Sequence, residues 1–350
     1  MRSGQCDPVW LHWSRSPDFQ YEAMTKYDRV NDPSIGNLSL RLVEVDAIKA
    51  LAIIGVLILH MSFKSRMTAS ALDAIGILQI VFGWAVLAFF FASGLLTRLV
   101  KSRAGLTELA VSRFQRLIIP CLVFSLTYKL LLLLLGLAGI VAVPGELALA
   151  EFLFMPVGPQ FYFLPLLYVI SVLVAVVEIR IRPPLLVCLG GLVLLCVYGL
   201  IPLPPIGYGA SISLWPLYLF SYVAGRAMSE RGPRPRAGSL GIVLAFAIGA
   251  ALLYMAPVIL YVCVAPLMFT LFGRFPRAAR RIECSRLGKH SSAIYVWHAH
   301  VVMPMVSVIC FKVFHGSLVM VLPLLVLTIA ICILLGGVTR RFETLRFWRF

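Results

Sequence analysis

Apolar runs separated by short polar or Gly/Pro-bearing segments recur along the chain from Val45 to Gly337. Each holds about 20 predominantly apolar residues, enough to cross roughly 30 Å of hydrocarbon as a helix. They fall at Val45–Phe63, Ala74–Leu96, Leu117–Ile140, Phe161–Ile179, Pro184–Ile201, Ile212–Met228, Leu240–Met255, Pro257–Phe272, Ser291–Phe311 and Leu318–Val338. The boundary at Ala256 and Pro257 follows from length, because the continuous stretch is too long for one ordinary crossing and Pro257 suits the first turn of a new helix. The pattern predicts an all-α, polytopic integral membrane protein with about ten transmembrane helices. No repeat and no Gly/Ser linker divides it, so residues 41–350 read as a single transmembrane domain. Residues 1–40 are polar and carry Pro8, Pro17 and Pro33, which predicts a disordered or non-native N-terminal extension, with Met24 as an alternative start.

Composition agrees with the pattern. Of 350 residues, 61% are hydrophobic and 13% charged, whereas a soluble domain carries roughly a quarter charged residues. A formal charge of +16 in a soluble protein would suggest nucleic acid, so the position of the basic residues has to decide. They occupy alternate loops. One set holds Arg98, Lys101, Arg103, Arg113 and Arg116, then Arg180 and Arg182, then Arg226, Arg231, Arg234 and Arg236, then Arg274, Arg277, Arg280, Arg281, Arg286 and Lys289, and finally Arg340, Arg341, Arg346 and Arg349. The opposite loops hold only Lys64, Arg66 and Lys312. This positive-inside asymmetry places both termini in the cytoplasm and needs no nucleic acid. Cys121, Cys188, Cys196, Cys263, Cys310 and Cys332 lie in apolar runs without metal-ligand spacing, so they read as small buried hydrophobes with no structural disulfide.

Ionisable residues inside apolar helices are costly and mark candidate chemistry. The first predicted helix has three. Asp46 and Lys49 are spaced to pair on one face. Lys49 and His60 stand about three turns apart on that same stripe, roughly 16 Å along the axis. An imidazole there could sit inert at an interface, or serve as a general base that takes a proton from an attacking hydroxyl. In the ninth predicted helix, Ser291, Tyr295 and His298 recur at i, i+4 and i+7 and form a polar stripe. His300 points away from it if that helix is unbroken, and no acidic or cysteine set completes a zinc site, so no metal is expected. Phe89 to Gly94 ends the second predicted helix with small residues, Ser93 and Gly94, that suit close packing. Arg113 and Arg116 share one face if the segment is α-helical, where guanidinium forks could set topology, hold anionic lipid or clamp phosphates.

Taken in order, these motifs resemble the acyltransferase-3 family of multi-spanning membrane O-acyltransferases. Asp46-Ala47-Ile48-Lys49-Ala50, with His60 following at the family's basic-to-histidine spacing, is similar to the family's first-helix element. Phe89-Phe90-Phe91-Ala92-Ser93-Gly94, Arg113-Phe114-Gln115-Arg116 with Pro120, and Ser291 to His298 resemble three further elements, and Phe161-Tyr162-Phe163-Leu164 is a looser echo of a fourth. Lys49 departs from the more usual arginine, which keeps the charge and loses the bidentate fork.

The resemblance implies transfer of an acyl group, acetyl above all, from acetyl-CoA or another acyl-CoA to a hydroxyl of a carbohydrate, glycolipid or small acceptor, in a bacterial inner membrane. It implies catalytic roles for His60, Lys49 and Asp46, donor binding by Arg113 and Arg116, and substrate or oxyanion contacts from Ser93, Tyr162, Ser291, Tyr295 and His298. A proton-coupled secondary transporter is the competing reading, in which the same His, Lys and Asp relay protons.

Overall fold

The computed structural model describes residues 35–61, 67–97, 100, 102–137, 162–181, 183–200, 214–229, 237–253, 257–283, 287–298 and 302–341. Within these the regular structure is helical: α1 (Ile35–Leu59), α2 (Ala69–Val81), α3 (Ala85–Leu96), α4 (Arg103–Arg113), α5 (Ile119–Leu137), α6 (Phe163–Glu178), α7 (Pro183–Leu200), α8 (Trp215–Ser229), α9 (Ala237–Leu253), α10 (Tyr261–Arg274), α11 (Pro276–Glu283), α12 (Leu287–Trp297), α13 (Met303–Phe314) and α14 (Val321–Arg341). Each predicted apolar run has a helical counterpart. Helix α1 begins at Ile35, inside the stretch read as an N-terminal extension.

Three described helical stretches, Ala69–Leu96, Arg103–Thr127 and Leu318–Val338, are long and apolar enough to cross a membrane, and five further apolar helices are shorter. Large apolar side chains such as Ile77, Leu252, Met305, Leu322 and Leu334 face outward. In water so much exposed apolar surface would drive association, whereas in a bilayer it meets lipid tails. Cys188 and Cys196 lie on such an outward face of α7, which corrects their reading as buried; Cys121, Cys263, Cys310 and Cys332 are buried.

One predicted helix is interrupted: the second turns at Phe82–Trp84 between α2 and α3, and the Tyr261 hydroxyl donates to the Ile80 carbonyl at 2.5 Å, which satisfies an acceptor at the end of α2. The ninth is described as α12, with His298 continuing its helical backbone, and as α13, with Pro304 in its first turn; residues 299–301 between them lie outside the described residues. The expectation of one unbroken helix from Ser291 to Phe311 therefore turns on residues outside the described ones. His300, whose orientation was argued from that unbroken helix, lies outside the described residues.

Small residues bring the backbones together. A Cβ on Gly94 of α3 would strike the Tyr222 carbonyl of α8, and one on Gly225 of α8 would strike the Phe91 carbonyl of α3. Close packing is thus what the small end of the Phe89–Gly94 motif provides. Gly288, in the first turn of α12, lies equally tight against the Asp46 carbonyl of α1. At their other ends, His60 and His298 meet. Helices α1 and α12 therefore run parallel.

Candidate active site

His60 follows the last residue of α1, and its N–H reaches back to the Val56 and Leu57 carbonyls. His298 follows the last residue of α12. The two imidazoles face each other with centroids 5.1 Å apart and planes tilted by 56°. His298 is fully buried, and its Nδ1 lies 2.7 Å from the Tyr295 carbonyl and 3.0 Å from that of Ile294. A carbonyl only accepts, so Nδ1 carries the proton and, in the neutral ring, Nε2 carries the lone pair.

Aromatic rings continue from the histidine pair. Tyr295 lies 6.0 Å from His298 and 5.2 Å from Phe163, Phe163 packs edge-on against Phe90 at 4.9 Å, and Phe90 stacks on Tyr218 at 4.7 Å. The Tyr218 and Tyr162 hydroxyls are 3.0 Å apart. Tyr162 and Tyr295 thus join one aromatic group with the imidazoles, whereas Ser291 does not reach it: the Ser291 hydroxyl donates to the Gly288 carbonyl at 2.8 Å, at the opposite end of α12.

A second polar cluster centres on Thr97, which follows α3. Its hydroxyl donates to the Ser93 carbonyl at 2.6 Å, which uses its only proton. Its two lone pairs then accept from Arg113 Nη2 at 2.6 Å and from the Tyr222 hydroxyl at 3.0 Å. Arg226 Nη1 donates to the Thr97 carbonyl at 2.8 Å, and Arg226 Nε lies 2.7 Å from Glu178 Oε1. Arg226 and Glu178 are almost wholly removed from solvent, with side chains 2% and 1% exposed. This corrects the reading of Arg226 as a loop charge. Ser93 belongs to this cluster through its carbonyl.

Arg113 and Arg116 do not share a face. Residues Phe114–Ile118 form a π-helical turn, in which the Ile119 N–H reaches back to the Phe114 carbonyl. The wider turn rotates successive side chains by less than an α-helix does, so Arg113 turns inward to Thr97 while Arg116 is exposed. Lys49 and Asp46 pair at 3.3 Å on a partly exposed face of α1, about three turns from His60.

The two clusters lie at different depths. Thr97 is about two turns beyond Phe90 on the α3 line, and Arg226 just over two turns beyond Tyr218 on α8, about 10–12 Å along the axis. Arg113, Thr97, Glu178 and Arg226 come from the start of one apolar segment and the ends of three others, so the same end of the bundle gathers them. A family model described as an acyltransferase domain matches residues 42–337.

The chain belongs to the acyltransferase-3 family.

No curated protein and no solved structure matches it. The protein is a membrane acyltransferase, and its matched region runs from the start of the described α1 side chains to the last turns of α14. An acyl transfer needs a group to take the hydroxyl proton, a holder for the donor, and a wall for the acceptor. The imidazole pair, the Thr97 cluster and the aromatic group are chemically suited to these three roles. Among the described residues, no group of three or more His, Cys, Asp or Glu side chains gathers as metal ligands do.

Four residues of the site escaped the sequence reading: Thr97, Glu178, Tyr222 and Arg226. Two of them carried a usable signal. Glu178 and Arg226 both lie within predicted apolar segments, where the cost of burying charge marks a functional candidate; treating Arg226 as one more topological arginine hid it. Thr97 and Tyr222 are ordinary in sequence, and only the crossing of α3 and α8 gives them a role.

Proposed function

We propose that the protein is a multi-pass O-acyltransferase of the bacterial inner membrane, moving an acetyl or other acyl group from acyl-CoA to a hydroxyl of a carbohydrate, glycolipid or small acceptor. In this reading the chain crosses the bilayer about ten times with both termini in the cytoplasm, following its alternating basic loops. The parallel run of α1 and α12, and the gathering of the segment ends near Arg113, Glu178 and Arg226, agree with that alternation.

The donor enters from the cytoplasm with its phosphates near Arg113, while Arg116, exposed one turn away, adds charge at the opening. Coenzyme A carries its thioester at the far end of a long flexible arm, so phosphates at the Thr97 level can be anchored while the acyl group reaches the histidines. His60 takes the proton from the acceptor hydroxyl as its oxygen attacks the thioester carbonyl. Collapse then expels the coenzyme A thiolate, which takes that proton back from His60. Beside it, His298 is locked with its Nδ1 proton on backbone carbonyls, and two rings this close share the incoming charge. Tyr295 and Tyr162 hold the acceptor and supply hydroxyl donors near the developing oxyanion. Ser291 shapes the first turn of α12, while Asp46 and Lys49 bias the cytoplasmic end of α1.

The observation that carries this reading is the apposition of His60 and His298 within a family of acyltransferases. Detergent-purified protein is incubated with radiolabelled acetyl-CoA and a membrane extract of the native cell, and label is scored in glycan and lipid fractions. His60→Ala is expected to reduce incorporation about 10²- to 10⁴-fold, the usual contribution of general acid–base catalysis. Undiminished incorporation by that variant would overturn the assignment.

A further inference from the structure

Arg113 and Arg226 both act on Thr97, and their charges are balanced differently. Arg226 is buried and its charge is met by Glu178 at 2.7 Å. Among the described residues Arg113 bonds a neutral hydroxyl and pairs with no carboxylate, which leaves its charge to meet an anion. The buried pair is anchored on two helices, α6 and α8, and Arg226 grips the Thr97 carbonyl just where α3 ends. Thr97 therefore has its carbonyl held by Arg226 and its hydroxyl fully used by Ser93, Tyr222 and Arg113. Such a group has one orientation, since a hydroxyl offers one proton and two lone pairs and all are spent.

We infer that Thr97 is a positioning residue for the donor, held by the Glu178–Arg226 pair, and that it fixes the direction in which the Arg113 guanidinium presents its remaining N–H donors to the donor's phosphate. A flexible guanidinium loses side-chain freedom when it binds, so a second fixed contact leaves less to be lost on donor binding. Glu178 contributes separately by neutralising Arg226, so the second guanidinium does not compete with Arg113 for the same phosphate. This inference rests on the reading that Arg113 binds the donor.

Initial rates with varied acetyl-CoA at saturating acceptor extract separate the two. Arg113→Ala tests the underlying reading: an unchanged KM for acetyl-CoA sinks it, whatever Thr97 does. Thr97→Val tests the inference, because valine keeps the shape and the backbone carbonyl and removes the hydroxyl. The expected result is a KM for acetyl-CoA raised about tenfold, the value of one lost hydrogen bond to a charged group, with kcat within twofold. Thr97→Ser restores the hydroxyl and should restore KM. In an Arg113→Ala background Thr97→Val should add nothing, since its effect passes through Arg113.

A Thr97→Val protein with unchanged KM beside an impaired Arg113→Ala protein overturns the inference, as does a Thr97→Val effect that simply adds to that of Arg113→Ala. Should Thr97→Val fail to fold, Arg226→Lys is read in its place. Lysine keeps the charge for Glu178 but cannot bond it and the Thr97 carbonyl through a fork, so a raised KM with kcat retained supports the inference and an unchanged KM overturns it.

Discussion

Gly94 of α3 rests directly on the backbone carbonyl of Tyr222 in α8, with no space for a β-carbon between them. The reciprocal contact sets Gly225 on the Phe91 carbonyl at the same crossing. In lipid, where apolar burial does not drive helices together, this kind of backbone approach is a main source of cohesion. It also sets the distance from which Tyr222 reaches Thr97.

Replacing Gly94 or Gly225 with alanine forces the crossing apart, because the obstacle is backbone and cannot rotate away. Each substitution should destabilise the protein by about 1–3 kcal/mol, in the range of overpacked cores. Thermal unfolding in detergent, followed by tryptophan fluorescence, measures it. Gly76 and Gly249 have nothing close to them and serve as controls, where alanine should be neutral or slightly stabilising through helix propensity.

The Arg226–Glu178 pair has no solvent to absorb a broken partnership. Arg226→Met alone leaves a buried carboxylate uncompensated and should cost about 3–5 kcal/mol. Adding Glu178→Leu removes that orphan charge and should recover much of the loss, since an apolar pair of similar volume often replaces a buried ion pair at little cost. Equal destabilisation by the single and double variants in thermal unfolding would show that the pairing is not what matters.

Asp46 and Lys49 should behave otherwise. Their pair is partly exposed, at 19% for Asp46 and 24% for Lys49, so water screens it, and Asp46→Asn should change stability by no more than about 1 kcal/mol. Acyl transfer by the Asp46→Asn and Lys49→Arg proteins, compared with the parent under the same extract, tells whether the pair does more than stabilise α1.

His298 holds its proton on two carbonyls of α12. Asparagine can keep a donor near those acceptors but cannot take a proton, so His298→Asn should fold while losing activity by at least about tenfold, within the range of acid–base contributions. A stable His298→Asn protein with parental activity would leave His60 as the sole proton acceptor.

The proposed orientation separates exposed positions by side. Arg277 on α11 and Lys312 on α13 are both exposed, and the basic-loop pattern assigns them to opposite faces. With a membrane-impermeant maleimide, Arg277→Cys should label only when the cytoplasmic face is accessible and Lys312→Cys only from the outer face. Labelling of both from one side would undo the assigned alternation.

The apolar run length by itself determined that this chain forms helices suited to a bilayer, because a lipid environment permits few other solutions for the backbone. Each run has a helical counterpart among the described residues, and the spacing of Tyr295 and His298 was legible for the same reason: one helix has a fixed period, and spacing alone places its residues. What crosses between helices was not legible. That Arg113 turns inward and Arg116 outward depends on a π-helical turn, not on a spacing. That His298 meets His60 depends on α1 and α12 packing side by side, not on a spacing within either helix. That Arg226 is buried rather than topological depends on Glu178, on another helix, being there to meet its charge. Local sequence determines the hydrogen bonds made within a helix, whereas the pairing of buried polar groups is decided by which helices pack against each other, and only the tertiary structure contains that.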